Sequence, residues 1–362
     1  MSTTLRDVAK LAGVSISTAS RALYGSRSRP AAQETQERVW AAVHQLNYAP
    51  NDAAQNLGRR PNGKKTETGL GNIGLVLGNV SYKFADPFWT VVLQGIDREA
   101  TRQEHHLRFA FTLEDLSHPH QRQLLSLEHI DGLIVVGGHA SQVALDCLTD
   151  WTQDESARAR TVIIEGGDDR FYRNGPLQFD VVTCDKRYII YQMIDHLFKL
   201  GHRNIAFIGP AMQIEDRGAA FVQALSFHDL PYDPELYIES PWSTEGSYPY
   251  AQALLRSGKT FDAVMCGCDA IAISVMRAAR ERGMRLPDDL AIAGFDDIEF
   301  ARHMHPALTT AHVQKELLGE LAVRKLLERI KRPDLPPVLQ MVPNILTIRE
   351  SCGEQQALSE PA

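Results

Sequence analysis

The chain has 362 residues, 44% of them hydrophobic, which is enough for a sizeable core and for more than one domain. It has no run of 18 apolar residues and no apolar stretch near the amino terminus, so the sequence predicts neither a membrane span nor a secretory signal. The net charge of −7 combines two unlike parts: residues 1–65 carry +6 and the remainder carries −13. A basic head on an acidic body favours contact with nucleic acid.

The first predicted element is a pair of short helices around a tight turn, over residues 4–23. Gly13 follows the last apolar position of the first helix, where a left-handed residue ends a helix, and Ser15 then caps the second. The outward face of the second helix carries Ser17 and Arg21, as a recognition helix in the major groove requires. By spacing alone, an ordinary helical hairpin packed on a core fits the segment equally well.

Three further segments follow this helix pair. Residues 32–46 predict a third helix that closes a small three-helix core. Residues 51–57 could form two helical turns, too short to persist alone in water, but suited to a hinge helix that forms in the minor groove with Leu57 as a wedge. On composition alone, an ordinary linker describes that segment better. Residues 58–72, rich in Gly, Pro and basic residues, predict a flexible linker.

Residues 4–57 resemble the DNA-binding headpiece of the lactose repressor/galactose repressor family. The chain meets the family pattern D-V-A-x-x-A-G-V-S-x-x-T-x-S-R-x-L from Asp7 to Leu23. Arg21 is expected to discriminate best among bases, because a guanidinium can bind a guanine edge with two hydrogen bonds. The resemblance implies base contacts by Ile16, Ser17 and Arg21, phosphate contacts by Ser15, Thr18 and Ser20, and minor-groove contacts by Ala54 and Leu57.

Beyond residue 72, apolar runs alternate with amphipathic stretches, which predicts parallel sheets with helices on both faces. Residues 201–209 and 306–310 also resemble family segments, G-H-x-x-I-x-x-I-G and P-x-L-T-T. The resemblance implies an N-terminal all-α helix-turn-helix headpiece and an α/β body of two doubly wound, parallel-sheet subdomains, similar to periplasmic binding proteins. About ten strands are predicted, at 73–77, 107–111, 132–136, 161–164, 181–183, 204–208, 263–266 and 290–294, and near 310 and 345.

The expected boundaries follow from these segments. They are a helix-turn-helix domain at 1–48, a hinge helix and linker at 49–72, an effector-binding domain at 73–350 and a tail at 351–362. Within the body, the N-subdomain is expected at about 73–185 and 314–333, and the C-subdomain at about 186–313 and 334–350. The chain is therefore expected to cross between the subdomains near 185, 313 and 334.

Candidate effector residues follow the predicted strands, where ligands of parallel sheets bind. Aromatic rings beside Arg and Asp suit a sugar, which offers faces for stacking and hydroxyls for strong hydrogen bonds. Without the resemblance, Asp269 also fits a helix cap, Asp296 a turn, and the aromatics core packing. Lys186 and Cys268 stand where the family favours Asn, so an anionic effector is also compatible. The candidate effector contacts are Phe88, Trp89, Arg217, Trp242, Asp269 and Asp296, and the resemblance implies a further contact by Asp185 near the first crossover.

These features predict a cytoplasmic, homodimeric transcription regulator, a repressor that binds double-stranded operator DNA under the control of a small molecule, a sugar. A nucleobase or phosphorylated metabolite is the alternative effector. The sequence has no phosphate-binding loop, nucleophile elbow or H-E-x-x-H, so no enzyme activity, cofactor or metal site is expected. A sugar-converting enzyme with a DNA headpiece and a solute receptor are the competing classes. The five cysteines, an odd number, favour reduced thiols.

Overall fold

The computed structural model of the chain comprises two units, residues 1–69 and 70–362, and each is described by itself. None of the described helices combines the length and apolar composition needed to cross a bilayer. The structure describes residues 5–15, 18–19, 35, 38–39, 42, 71–78, 86–116, 122, 124–137, 149–164, 177–212 and 216–353.

In the first unit, helix α1 (Leu5–Leu11) ends in a left-handed turn at Gly13, whose φ is +66°. Ser15 then accepts a hydrogen bond at its Oγ from the Thr18 backbone N–H, at 3.1 Å, which is the geometry of a helix cap. The predicted turn and cap are therefore both present. A small apolar core joins residues far apart in sequence, as a three-helix packing requires: Val8, Ala9, Ala12, Ala19, Val39 and Ala42.

The second unit contains twelve described strands in two six-stranded sheets. They are β1 (Gly71–Leu77), β2 (His105–Thr112), β3 (Gly132–Val136), β4 (Thr161–Ile164), β5 (Asp180–Cys184), β6 (Ile205–Gly209), β7 (Tyr237–Glu239), β8 (Ala263–Cys266), β9 (Ala291–Asp296), β10 (Thr309–His312), β11 (Leu339–Val342) and β12 (Ile345–Thr347). The first sheet has the order β11-β5-β4-β3-β1-β2 and is parallel throughout. The second sheet has the order β12-β10-β9-β8-β6-β7, and in it β12 is the antiparallel strand.

Helices cover the sheets, because the apolar central strands must be buried on both faces. Strands β3, β4, β6 and β8 are buried along their whole length. The described helices of this unit are α2 (Pro87–Arg102), α3 (Leu113–Leu116), α4 (Thr149–Gln153), α5 (Glu155–Arg158), α6 (Lys186–Lys199), α7 (Asp216–Phe227), α8 (Thr244–Arg256), α9 (Asp269–Glu281) and α10 (Lys315–Lys331). The first sheet and the helices packed on it form the first lobe, in which α2 and α10 pack together. The second sheet and helices α6 to α9 form the second lobe.

The chain passes between the two lobes three times. The first two passages lie between β5 and α6 and between β10 and α10. The third differs from the expected position near 334. Strand β11 pairs with β5 in the first sheet, so the chain enters the second sheet only after Val342. The backbone of β11 completes the edge of the first sheet, although its sequence lacks a continuous apolar run.

Candidate functional site

The centre of the candidate site is Arg217, near the start of α7 in the second lobe. This side chain is 6% exposed, and its Nη1 donates a hydrogen bond to the Gly267 carbonyl at 2.7 Å. Its Nη2 lies 3.9 Å from an Asp296 carboxylate oxygen. The guanidinium carbon lies 4.0 Å from the centre of the Phe295 ring and 5.1 Å from that of Trp242. A buried cation is therefore held between a carboxylate and two aromatic rings.

Asp296 occupies this position because of the turn that ends β9. Asp296 and Asp297 both have positive φ, at +114° and +50°, which is uncommon for residues with a side chain and frequent at functional sites. Asp297 is held by two partners: its Oδ1 accepts from Arg349 at 2.7 Å, and its Oδ2 lies 2.8 Å from Nδ1 of His312. The second lobe thus fixes the turn that carries the Asp296 carboxylate.

Asp269, a predicted effector contact, lies beneath this turn. It is fully buried, and both of its carboxylate oxygens accept internal hydrogen bonds. Oδ1 accepts from the Thr310 hydroxyl at 2.6 Å, and Oδ2 accepts from the Ile298 backbone N–H at 2.9 Å. In this arrangement Asp269 supports the turn from below, a role that sequence spacing could not separate from ligand contact.

The three carboxyls of this region have different pKa values. Burial raises the pKa of Asp296, and Arg217 opposes the rise. Burial also raises the pKa of Asp269 to about 7, against the hydrogen bonds from Thr310 and Ile298. For Asp297 burial acts in the same direction, but the hydrogen bonds from His312 and Arg349 outweigh it and lower the pKa to about 2. The Asp297 carboxylate is therefore firmly ionised, whereas that of Asp296 depends on its cationic neighbours.

The first lobe contributes the start of α2. Asp86 caps this helix, accepting hydrogen bonds from the Phe88 and Trp89 backbone N–H groups at 2.8 and 3.2 Å. The Phe88 and Trp89 rings meet edge to face, 4.8 Å apart. Lys315 is the first residue of α10. Its Nζ lies 5.9 Å from the centre of the Phe88 ring and also donates a hydrogen bond to the Asp296 carbonyl. Lys315 thus contacts candidate residues of both lobes.

Lys315 was missed by sequence reasoning. A lysine at the start of an amphipathic helix has the pattern of a solvated surface residue, yet this one is only 7% exposed. Its burial comes from the second crossover, which places the first turn of α10 against the end of β9. No signal in the sequence marks that contact.

Asp185 lies at the first crossover. Its carboxylate accepts from the Tyr188 backbone N–H at 3.0 Å and caps α6, and its carbonyl accepts from the Asn344 amide at 3.1 Å. Asp185, a predicted effector contact, thus joins the first crossover to the third, which contains Asn344. His202, in the family-like loop, lies 3.4 Å from Asp262 at Nδ1, consistent with a structural role. Within the described ranges, no group of three or more His, Cys, Asp or Glu side chains could hold a metal ion.

Of the predicted DNA contacts, Ser15 and Thr18 belong to the part of the chain that the structure describes. Ser15 is exposed, and its Oγ lies 2.8 Å from that of Thr18. The hydroxyls are thus grouped at the start of the second helix. The other predicted contacts lie outside the described residues: Ile16, Ser17, Ser20, Arg21, Ala54 and Leu57.

Comparison with known proteins agrees with both parts of the chain. Residues 4–51 match the model for bacterial regulatory proteins of the lacI family, and residues 194–352 match the periplasmic binding protein-like domain. The HTH-type transcriptional repressor PurR of Aliivibrio fischeri (strain MJ11) is 31% identical over 351 residues, which cover 95% of this chain and 97% of the relative. The chain belongs to the lacI family of bacterial regulatory proteins. It is thus a DNA-binding transcription regulator of the repressor type.

Other relatives and solved structures agree with this membership. The ribose operon repressor of Haemophilus influenzae is 31% identical over 335 residues, covering 91% of this chain and 93% of the relative. The structure of the transcriptional regulator CelR in complex with cellobiose has a TM-score of 0.67 at 26% identity, covering 96% of this chain and 99% of that one. The lac repressor dimer bound to operator and the anti-inducer ONPF, at 22% identity, has a TM-score of 0.66 over 97% of this chain and 99% of its own, and so shares the fold.

Proposed function

We propose that this lacI-family member represses transcription from a specific double-stranded operator and that a sugar bound between the two lobes of its body controls this repression. The proposed contacts are Arg217, Trp242 and Asp296 from the second lobe and Phe88 and Trp89 from the first. Asp185 and Asp269 complete the set as residues that position the crossovers and the turn. A nucleobase or phosphorylated metabolite is the alternative effector.

The observation that carries this proposal is the buried Arg217–Asp296 pair between aromatic rings. A guanidinium with five donors and a carboxylate with four acceptor sites can together bind adjacent hydroxyl groups. The Trp242 and Phe88 rings supply apolar surfaces on which a sugar ring can stack. Two of the similar proteins, the ribose operon repressor and the CelR–cellobiose complex, are named for a saccharide, which supports a saccharide for this chain.

We propose the following organisation for the whole chain. Residues 1–48 form the helix-turn-helix domain, 49–72 the hinge helix and linker, 73–350 the effector-binding domain and 351–362 the tail. Two copies associate as a homodimer, so that two recognition helices address the halves of a pseudo-palindromic operator. The protein acts in the cytoplasm and by binding, not by turnover; conversion of any bound sugar on incubation would contradict the latter.

The DNA-binding part can be tested by selecting genomic fragments with the full-length protein and measuring binding to the selected operator and to unrelated DNA. Arg21→Ala should lower discrimination by about 1–3 kcal/mol, because one bidentate base contact is lost. Leu57→Ala should weaken operator binding and spare the salt-sensitive binding to unrelated DNA. Arg38→Ala, which removes one exposed charge, is the matched control and should affect both DNAs alike. Failure of the wild type to select any sequence would refute the proposal.

The effector part can be tested by thermal unfolding of the protein with ribose, cellobiose and other saccharides, and with adenine, guanine and other nucleobases. A ligand at a hundredfold its Kd stabilises the native state by about 2.7 kcal/mol, so a specific effector raises the Tm measurably. Asp296→Asn should abolish the rise, whereas Asp289→Asn, on an exposed loop of the same lobe, should retain it. A rise in Tm with nucleobases alone would support a nucleobase as the effector instead of a sugar. Equal rises in both variants would contradict the assigned site.

A further inference from the structure

Lys315 is a buried side chain that joins the turn at Asp296 and Asp297 to the first lobe. Its ammonium donates to the carbonyls of Asp296, Asp297 and Val313; the second and third of these distances are 3.1 and 3.3 Å. The first two carbonyls belong to the positive-φ turn after β9. One cation therefore holds the backbone of the residue whose carboxylate faces Arg217.

The helix that carries Lys315 is in close contact with α2. A Cβ added at Gly95 would lie 2.1 Å from the Glu316 carbonyl oxygen, and one added at Gly319 would lie 2.2 Å from that of Val92. The two backbones therefore touch with no side chain between them. In addition, Nη1 of Arg98 binds a Glu316 carboxylate oxygen at 2.8 Å. Glu316 follows Lys315 directly, so Lys315 lies next to the residue that joins α10 to α2, whose first turn carries Phe88 and Trp89.

The crossovers are joined beside Lys315. Nε2 of Gln314, the preceding residue, donates to the Pro343 carbonyl at 3.0 Å, and the Asn344 amide donates to the Asp185 carbonyl at 3.1 Å. The second crossover is therefore hydrogen-bonded to the third, and the third to the first. These contacts favour a hinge in which the three passages bend together and the start of α10 moves with them.

We propose that Lys315 is the positioning residue that couples the occupancy of Asp296 to the first lobe. This inference rests on the proposed effector site and adds its route of transmission. When a ligand takes hydrogen bonds from the Asp296 carboxylate and shifts the turn, the carbonyls that Lys315 holds shift as well. The ammonium moves with them, and α10 and α2 follow as a pair. The first lobe begins at β1, the strand to which the linker from the DNA-binding unit leads.

The charges around the ammonium agree with this role. Burial lowers the pKa of Lys315, and the nearby Asp296, Asp297 and Asp269 carboxyls, together with Cys184, oppose that shift. The ring of Phe88 faces the ammonium from α2. An ammonium balanced between carboxyls of one lobe and an aromatic ring of the other responds to any change in the Asp296 charge.

The test is a ligand-free coupling experiment by hydrogen exchange on the full-length chain. Asp296→Asn removes the carboxylate charge, and the reporter is the Leu318 backbone N–H in the first turn of α10, which donates to the Gln314 carbonyl at 3.0 Å. In the wild-type background we expect this substitution to change Leu318 exchange by about fivefold, the lower end of ordinary site coupling. In a Lys315→Met background the same substitution should change it by less than about twofold. Equal changes in both backgrounds, or no change in the wild type, would overturn the inference.

Two further variants separate transmission from simple loss of structure. Lys315→Arg keeps the charge and the donors and should restore the coupling, even if Lys315→Met folds poorly. Lys331→Met, an exposed lysine at the other end of α10, should leave it at the wild-type value. If ribose or cellobiose alters operator affinity in the wild type, the ratio of the operator affinities without and with the sugar should fall towards one in Lys315→Met. A wild type that answers to neither sugar counts against the proposed sugar effector, and the exchange experiment then decides the role of Lys315 by itself.

Discussion

Replacing Arg217 with methionine should show how much the candidate site depends on one buried ion pair. The substitution keeps an apolar side chain between the Phe295 and Trp242 rings but removes the cation 3.9 Å from Asp296. At that separation and an effective dielectric constant of about 20, the attraction between unit charges is about 4 kcal/mol. Loss of one partner of a buried pair typically costs about 3–5 kcal/mol, because the other charge stays buried.

The Asp296 carboxyl limits this cost by binding a proton, since burial already raises its pKa and removal of Arg217 raises it further. We therefore expect the Arg217→Met deficit to be smaller at pH 5 than at pH 8. When the pKa of an acid is higher in the folded than in the unfolded state, the protein loses stability as the pH rises between these two pKa values. In a double-mutant cycle with Asp296→Asn, we expect a coupling energy of about 2 kcal/mol, roughly half of the Coulomb figure.

The assay is urea unfolding of the wild type, both single variants and the double variant, followed by circular dichroism. Arg277→Met is the matched control, because its guanidinium is exposed and pairs with Glu281 at the surface. We expect a loss of less than about 1 kcal/mol for this control. A coupling energy below about 0.5 kcal/mol, or a deficit that grows as the pH is lowered, would refute the ion-pair reasoning for Arg217 and Asp296.

Two further substitutions test the surroundings of the site. Asp297→Asn should lower the free energy of unfolding by about 2 kcal/mol near neutral pH. Because the pKa of Asp297 is lowered to about 2, this difference in unfolding free energy should disappear as the pH falls from about 4 to about 2. Denaturant unfolding of both proteins at several pH values measures the difference. A difference that stays constant with pH would contradict the assigned ionisation of Asp297. Gly95→Ala should lower the free energy of unfolding by about 1–3 kcal/mol, because the added Cβ would collide with the Glu316 carbonyl. The control is Gln94→Ala at the exposed neighbouring position, which should leave the Tm nearly unchanged. Equal effects of the two substitutions on the Tm would argue against close contact of α2 and α10.

The strands that the sequence located and those it missed differ in burial. β3, β4 and β8 were predicted at their observed bounds, because strands covered on both faces need continuous apolar runs. β7 and β11 were missed. β7 has three residues, none of them buried, and β11 has two exposed residues among its four. Both lie at sheet edges, where the backbone pairs on one side and the side chains need not be apolar.

The candidate site divides in a similar way. The positions of Arg217 and Asp296 next to buried strands could be predicted, because residues after parallel strands gather at one edge of the sheet. The separate tasks of Asp269 and Asp296 could not be predicted, since both are acids that follow a strand. Only the packing shows that both oxygens of the Asp269 carboxylate already accept hydrogen bonds, one from Thr310 and one from Ile298.

By itself, the sequence determined the helix-turn-helix signature, the basic charge of its segment, the alternation of strands and helices, and hence the family. Those features are local: periodicity, caps, glycines and charge are properties of neighbouring residues. Only the tertiary structure decided where the third crossover lies, which acids support the turn, and that Lys315 is buried against both lobes. Each of these depends on contacts between segments distant in the chain, and no local pattern encodes the free energy of such contacts.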